Sequence, residues 1–248
     1  MSDLVITEST SYRAPDGAAV STYLARPAED GPFPTILMCY EFWGMLEVPG
    51  GGPHMRDVAQ RFARAGYVAA VPDYYATRGQ QPTMAGGVIA GGPPDEEADQ
   101  DLCAGVRWLR SLPYAGSGPV GVIGWCGGGR HSLFLAAQCT DVGAVATFYG
   151  PPVNRAIRTG PSPIDAVPRI HCPVFGAYAE EDHAIPVATA RQLEAELVRH
   201  DIVHEMHYYS GVGHAFMNDQ RDSYNEQAAT DSWQRMIDFF GRYLGKSA

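Results

Sequence analysis

Cys126, Asp182 and His214 are a thiol, a carboxylate and an imidazole in that chain order, the side-chain set that can attack a carbonyl carbon and hold the acyl group covalently. The thiol stands in Gly124-Trp125-Cys126-Gly127-Gly128, after the apolar run Val120-Gly121-Val122-Ile123 and before the helix-like Ser132-Leu133-Phe134-Leu135-Ala136-Ala137. This is a nucleophile-elbow pattern with cysteine at its centre. Such an elbow turns sharply from strand to helix, and glycine tolerates the crowding of backbone around it. The following helix aims its free N–H groups and positive dipole end at the sulfur, which favours a thiolate and then an oxyanion.

The partners of the thiol are expected downstream of it, in the order acid and then histidine. Glu180-Glu181-Asp182-His183-Ala184-Ile185-Pro186 follows an apolar strand-like run ending at Tyr178, where a loop would present a carboxylate. Asp182 is preferred there, because Glu180 and Glu181 read as a solvated charge run. His214 lies in Ser210-Gly211-Val212-Gly213-His214-Ala215-Phe216, a Gly-flanked loop after another strand-like run. A histidine can take the thiol proton and return it to a leaving oxygen, while a carboxylate fixes its tautomer. His183 reads as a local packing residue; His54, His131, His171, His200, His204 and His207 read as surface or strand residues. For the oxyanion, Gly127 supplies the N–H after the nucleophile, and Phe42, after the strand Thr35 to Tyr40, supplies the second. Glu41 ends that strand, and a carboxylate at the end of a buried strand is rarely there for packing.

Elements to position these groups are legible as an alternation. Leu4 to Tyr12 and Val20 to Pro27, separated by the turn signal Ala14-Pro15-Asp16-Gly17, predict an N-terminal antiparallel hairpin. Strands are predicted over Pro34 to Tyr40, Tyr67 to Val71, Val120 to Ile123, Val142 to Tyr149, Pro173 to Tyr178 and Val203 to Tyr209. Helices are predicted around Met55, Val58, Ala59 and Phe62, over Ala98 to Leu112, after Cys126, over Pro186 to Arg199 and over Ser232 to Leu244. Strands alternating with helices imply right-handed crossovers, a mainly parallel sheet flanked by helices on both faces, and functional groups at the carboxyl ends of the strands. The segments Glu47 to Pro53 and Thr77 to Pro94 are predicted as loops over that face. The 248 residues are expected to form one α/β domain, 1–248.

Composition bounds the rest. The hydrophobic content is 45% and the charged content 19%, values of a globular chain, and no apolar stretch has the length of a membrane span. A net charge of −10 disfavours nucleic acid and anionic membrane as partners. The start lacks a basic stretch followed by an apolar core, so a cytoplasmic location is expected. Cys39, Cys103, Cys126, Cys139 and Cys172 form no metal-ligand spacing, and neither a metal nor a cofactor is expected. Apart from Cys126, the cysteines read as inert packed thiols.

Glu41-Phe42-Trp43-Gly44, Pro72-Asp73-Tyr74-Tyr75, Gly124-Trp125-Cys126-Gly127-Gly128, Asp182-His183-Ala184-Ile185-Pro186 and Gly213-His214-Ala215-Phe216, in this order, resemble the dienelactone hydrolase family of α/β hydrolases. The resemblance spans nearly the whole chain. It implies an α/β-hydrolase fold, a Cys126, His214, Asp182 triad, and a role for Glu41 in deprotonating the thiol when substrate enters. It also implies a small-molecule ester or lactone substrate, carried through a thioester on Cys126. Family members that cleave dienelactone grip a substrate carboxylate with two arginines. Arg78 matches the first, whereas Asn218 stands where the second is expected; Asn218 donates a hydrogen bond but cannot form the bidentate ion pair. Arg221 reads as a surface arginine. The same triad would also serve a thioesterase or acyl transferase, and a reactive Cys126 alone would serve a thiol-based redox-sensing or binding module. A monomer or small homo-oligomer is expected.

Overall fold

A computed structural model describes residues 4–81, 83–85, 88–90, 93–154 and 160–245. In chain order the elements are β1 (Val5–Arg13), β2 (Ala19–Pro27), β3 (Thr35–Cys39), α1 (Gly52–Arg64), β4 (Val68–Pro72) and α2 (Tyr74–Thr77). Then come β5 (Thr83–Ala85), β6 (Val88–Ala90), α3 (Asp95–Arg110), β7 (Val120–Trp125), α4 (Gly127–Gln138), β8 (Val142–Phe148) and α5 (Pro163–Ala166). A short 3-10 turn precedes β9 (Val174–Ala179), α6 (Val187–Arg199), β10 (His204–Tyr209) and α7 (Glu226–Leu244).

Eight strands form one sheet in the order β1-β2-β4-β3-β7-β8-β9-β10. The β1–β2 hairpin and the β2–β4 pair are antiparallel, and every pairing from β4 through β3 to β10 is parallel. The alternation read from the sequence is therefore the α/β-hydrolase fold. β3, β4, β7 and β9 are buried along their whole length, as parallel strands covered on both faces must be. On one face Phe62 of α1 meets Trp233 and Phe240 of α7. On the other α3 packs against α4, and α5 links α4 to α6. No described helix is long and apolar enough to cross a membrane.

Three local features differ from the sequence reading. The stretch expected as a loop from Thr77 to Pro94 carries the small antiparallel pair β5–β6; residues 82, 86–87 and 91–92 lie outside the described part. α7 begins at Glu226 rather than near Ser232, because the Asn225 side chain accepts from the Ala228 N–H and starts the helix before its apolar stripe does. His54 and His131 are buried and paired with carboxylates, His54 with Asp219 and His131 with Asp99 at 2.8 Å. A buried imidazole needs such a partner, and both partners are too distant in sequence for local patterning to reveal.

Candidate active site

β7 ends at Trp125, and Cys126 turns the chain at φ 50° and ψ −119°, a left-handed conformation that costs a non-glycine residue about 1–3 kcal/mol. Two glycines make the turn possible. A Cβ on Gly124 would lie 2.0 Å from the Gly128 carbonyl oxygen, and one on Gly128 would lie 2.0 Å from the Cys39 carbonyl oxygen. The first turn of α4 is thereby pressed against the ends of both β7 and β3. Cys126 is the one cysteine of the five that is not buried. The sharp turn raises its side chain to the strand-end face, while Cys126 caps the helix that begins at Gly127.

The carboxyl ends of the neighbouring strands bring the remaining groups to this point. Asp182, after β9, is buried; its Oδ1 accepts the Ala184 and Ile185 N–H groups, each at 2.8 Å. Its Oδ2 lies 2.7 Å from Nδ1 of His214, which follows β10. A carboxylate in this setting only accepts, so His214 donates from Nδ1 and leaves Nε2 as the acceptor. Cys126 is the other group whose proximity favours a proton on His214. Burial pushes the imidazole pKa down, but the bond to Asp182 and the influence of Cys126 outweigh it and raise the value to about 10. A proton carried at Nε2 is therefore held firmly beside Asp182 and Cys126.

On the opposite side of Cys126, the ends of β3 and β4 supply the wall. The backbone N–H groups of Phe42 and Gly127 find no internal acceptor among the described residues, as an oxyanion pocket requires. The Tyr75 hydroxyl lies beside Gly127, 3.6 Å from where a Cβ would stand. Tyr75 is held by its N–H bond to the Tyr40 hydroxyl, which in turn donates to Asp73, so the Pro72-Asp73-Tyr74-Tyr75 segment braces the elbow.

Glu41 is buried at 3% exposure. Asn218 Nδ2 donates to its Oε1 at 2.6 Å and to the Gly50 carbonyl at 3.1 Å, and the Gln220 side chain accepts the Gly50 N–H. Asn218, expected at the substrate, is itself fully buried and holds Glu41 in place while pinning the 47–53 loop. Replacing Asn218 with leucine is expected to leave that carboxylate short of a charge-assisted bond. The loss should be roughly 1.5–3 kcal/mol in urea unfolding, and an unchanged midpoint would show that Glu41 does not depend on Asn218.

Arg78 is also placed differently from its expected role. Its Nε and Nη2 bind both oxygens of the fully buried Asp101, at 2.9 and 2.6 Å, and Nη1 binds Asp16. Its charge is spent on carboxylates of its own chain. The arginine beside the site is instead Arg221, read from sequence as a surface residue. Its guanidinium lies 5.5 Å over the Trp43 ring and 3.7 Å from Glu41, and its Nε is buried without a hydrogen-bond partner among the described residues.

The fold and the strand-end groups define an α/β hydrolase. Residues 20–244 match the dienelactone hydrolase family. A candidate carboxymethylenebutenolidase from Methylorubrum extorquens is 34% identical over 230 residues, covering 90% of this chain and 77% of the relative. One from Synechocystis is 32% identical over 230 residues, covering 89% and 91%. A candidate dienelactone hydrolase from Klebsiella pneumoniae superposes with a TM-score of 0.85 at 28% identity, over 97% of this chain and all of that one. The chain belongs to the dienelactone hydrolase family and is a hydrolase of ester or lactone bonds.

Proposed function

We propose that this protein hydrolyses small esters or lactones through a thioester on Cys126, with His214 as the base and Asp182 as its anchor. The observation that carries this is the His214 imidazole, bonded at Nδ1 to Asp182 at 2.7 Å and with Cys126 among the groups that raise its pKa. In the first half-reaction Nε2 takes the thiol proton and the sulfur attacks the carbonyl carbon. The oxyanion forms against the N–H groups of Phe42 and Gly127. As it collapses, the bond from carbon to the leaving oxygen breaks and Nε2 returns the proton to that oxygen. In the second half, water gives a proton to Nε2 and its oxygen attacks the thioester. The acid departs and the sulfur recovers its proton. Glu41, buried beside this centre, is a second base for the thiol when substrate enters.

Arg221 is the cation we assign to a substrate carboxylate. Stacked on Trp43 and with Nε unpartnered, it can turn from Glu41 to an incoming anion, whereas Arg78 is committed to Asp101. Two measurements test this function. With an activated aryl ester, rapid mixing is expected to release a burst of about one alcohol per chain before the steady state, since an acyl-enzyme accumulates; a linear trace with no activity in excess of buffer would contradict it. With matched esters that carry or lack a carboxylate, Arg221→Ala is expected to lower kcat/KM about tenfold or more for the carboxylated ester alone. An equal loss for both esters would remove Arg221 from recognition.

A further inference from the structure

Tyr149 directly follows β8, and its N–H still donates to the Ala177 carbonyl at 2.8 Å although its φ has turned to +39°. The turn is locked by its neighbour. A Cβ on Gly150 would lie 2.3 Å from Thr147 Oγ1 and 2.8 Å from Gly129 Cα, so the first turn of α4 fixes where Tyr149 stands. Its fully buried ring meets the His214 ring at 5.0 Å and the Phe216 ring at 5.4 Å. At the end of that ring the hydroxyl has no hydrogen-bond partner among the described residues. A buried hydroxyl left in this state is a cost to the fold, and natural proteins leave few of them.

The groups around the hydroxyl suggest what it meets. His214 lies against its ring, and the hydroxyl feels the charges of Glu41 at the end of β3, Cys126 at the elbow, Arg221 before α7 and Asp182 after β9. Burial first, then the charges of Glu41 and Cys126, push the phenol pKa well above its ordinary value. The hydroxyl therefore stays a donor throughout the working pH range. A neutral thiol sulfur is a weak acceptor, and a thiolate is a strong one.

We propose that the Tyr149 hydroxyl donates a hydrogen bond to the Cys126 sulfur once the thiol has lost its proton, stabilising the thiolate that attacks the ester. The proton itself passes from the sulfur to Nε2 of His214, and Tyr149 keeps its own. The proposal rests on Cys126 being the nucleophile. It adds a donor at the sulfur to those at the oxyanion, and it explains why a polar group without a partner stands at this strained position.

The test is the pH dependence of Cys126 alkylation by iodoacetamide in the native protein and in Tyr149→Phe, with Cys126→Ala as the blank for other thiols. The midpoint belongs to the Cys126–His214 pair and is expected to rise by about one pH unit in Tyr149→Phe, with kcat/KM about tenfold lower below the midpoint. Thermal unfolding of Tyr149→Phe is expected at or above the native temperature, because an unpartnered hydroxyl has been removed. A native alkylation profile overturns the proposal. So does a fall in the unfolding temperature or loss of the fold, since the hydroxyl would then be structural. Turnover surviving in Cys126→Ala would instead defeat the nucleophile on which the proposal rests. An inactive Cys126→Ala beside a Tyr149→Phe that titrates as native would defeat the role of Tyr149 alone.

Discussion

Replacing Cys126 with alanine is expected to lower kcat on an activated ester by at least about 10³-fold, with KM moving much less. In the proposed mechanism the sulfur makes and breaks a covalent bond, so no neighbouring group can substitute for it. Alanine also leaves the oxyanion N–H groups and the pocket wall unchanged, which confines the loss to chemistry. His214→Ala should fall nearly as far. The double variant should be no worse than Cys126→Ala, because the two residues act as a unit joined by one proton. Steady-state rates of the three variants check this. Losses that multiply in the double variant would mean that Cys126 and His214 serve separate steps.

The second large effect is on the fold. Gly128→Ala would drive a methyl group to 2.0 Å from the Cys39 carbonyl oxygen and 2.5 Å from that of Tyr40, both backbone atoms that cannot step aside. Either α4 or β3 must shift, and with it the elbow. The expected result is a loss of at least about 4 kcal/mol in urea unfolding, or failure to accumulate folded protein, which is the range reserved for severe core damage. Gly79→Ala is the control. Gly79 has φ +63° but nothing within 4 Å of its Cβ position, so only backbone strain of about 1 kcal/mol is at stake. Similar losses in the two variants would show that crowding is not what requires glycine at the elbow.

These two positions illustrate what the sequence carries openly. The elbow is a local device: a strand, a tight turn and a helix each leave a mark within a few residues, so the Gly124 to Gly128 segment could be read without knowing the rest of the chain. Asp182 and His214 were legible for the same reason, each standing just after a strand in a loop whose composition differs from its surroundings. Strand alternation likewise pointed to a mainly parallel sheet, although the Asn225 cap of α7 and the small β5–β6 pair left no clear apolar period to find.

What stayed hidden depends on pairs far apart in the chain. Asn218 and Glu41 are 177 residues apart, and nothing near Asn218 announces that its amide faces a buried carboxylate and the 47–53 loop rather than a ligand. Arg78 looked available because its partner, Asp101, sits 23 residues away on another helix, beyond the reach of local patterning. In the fold, Asp101 is fully buried and takes both arms of the guanidinium. Arg221 erred in the other direction: in a polar stretch it reads as surface, yet Trp43 and Glu41 converge on it from the end of β3. Tyr149 had no distinguishing mark at all in an apolar strand. Its interest lies in a hydroxyl that the folded structure leaves unpartnered.

The most direct test of the central claim is to quench the protein during turnover of a slowly deacylated aryl ester and measure its intact mass, followed by peptide mapping. The account predicts a mass increase of one acyl group, lost on treatment with hydroxylamine and mapped to the peptide containing Cys126. An acyl group on any other residue, or turnover under burst conditions without any adduct, would contradict it.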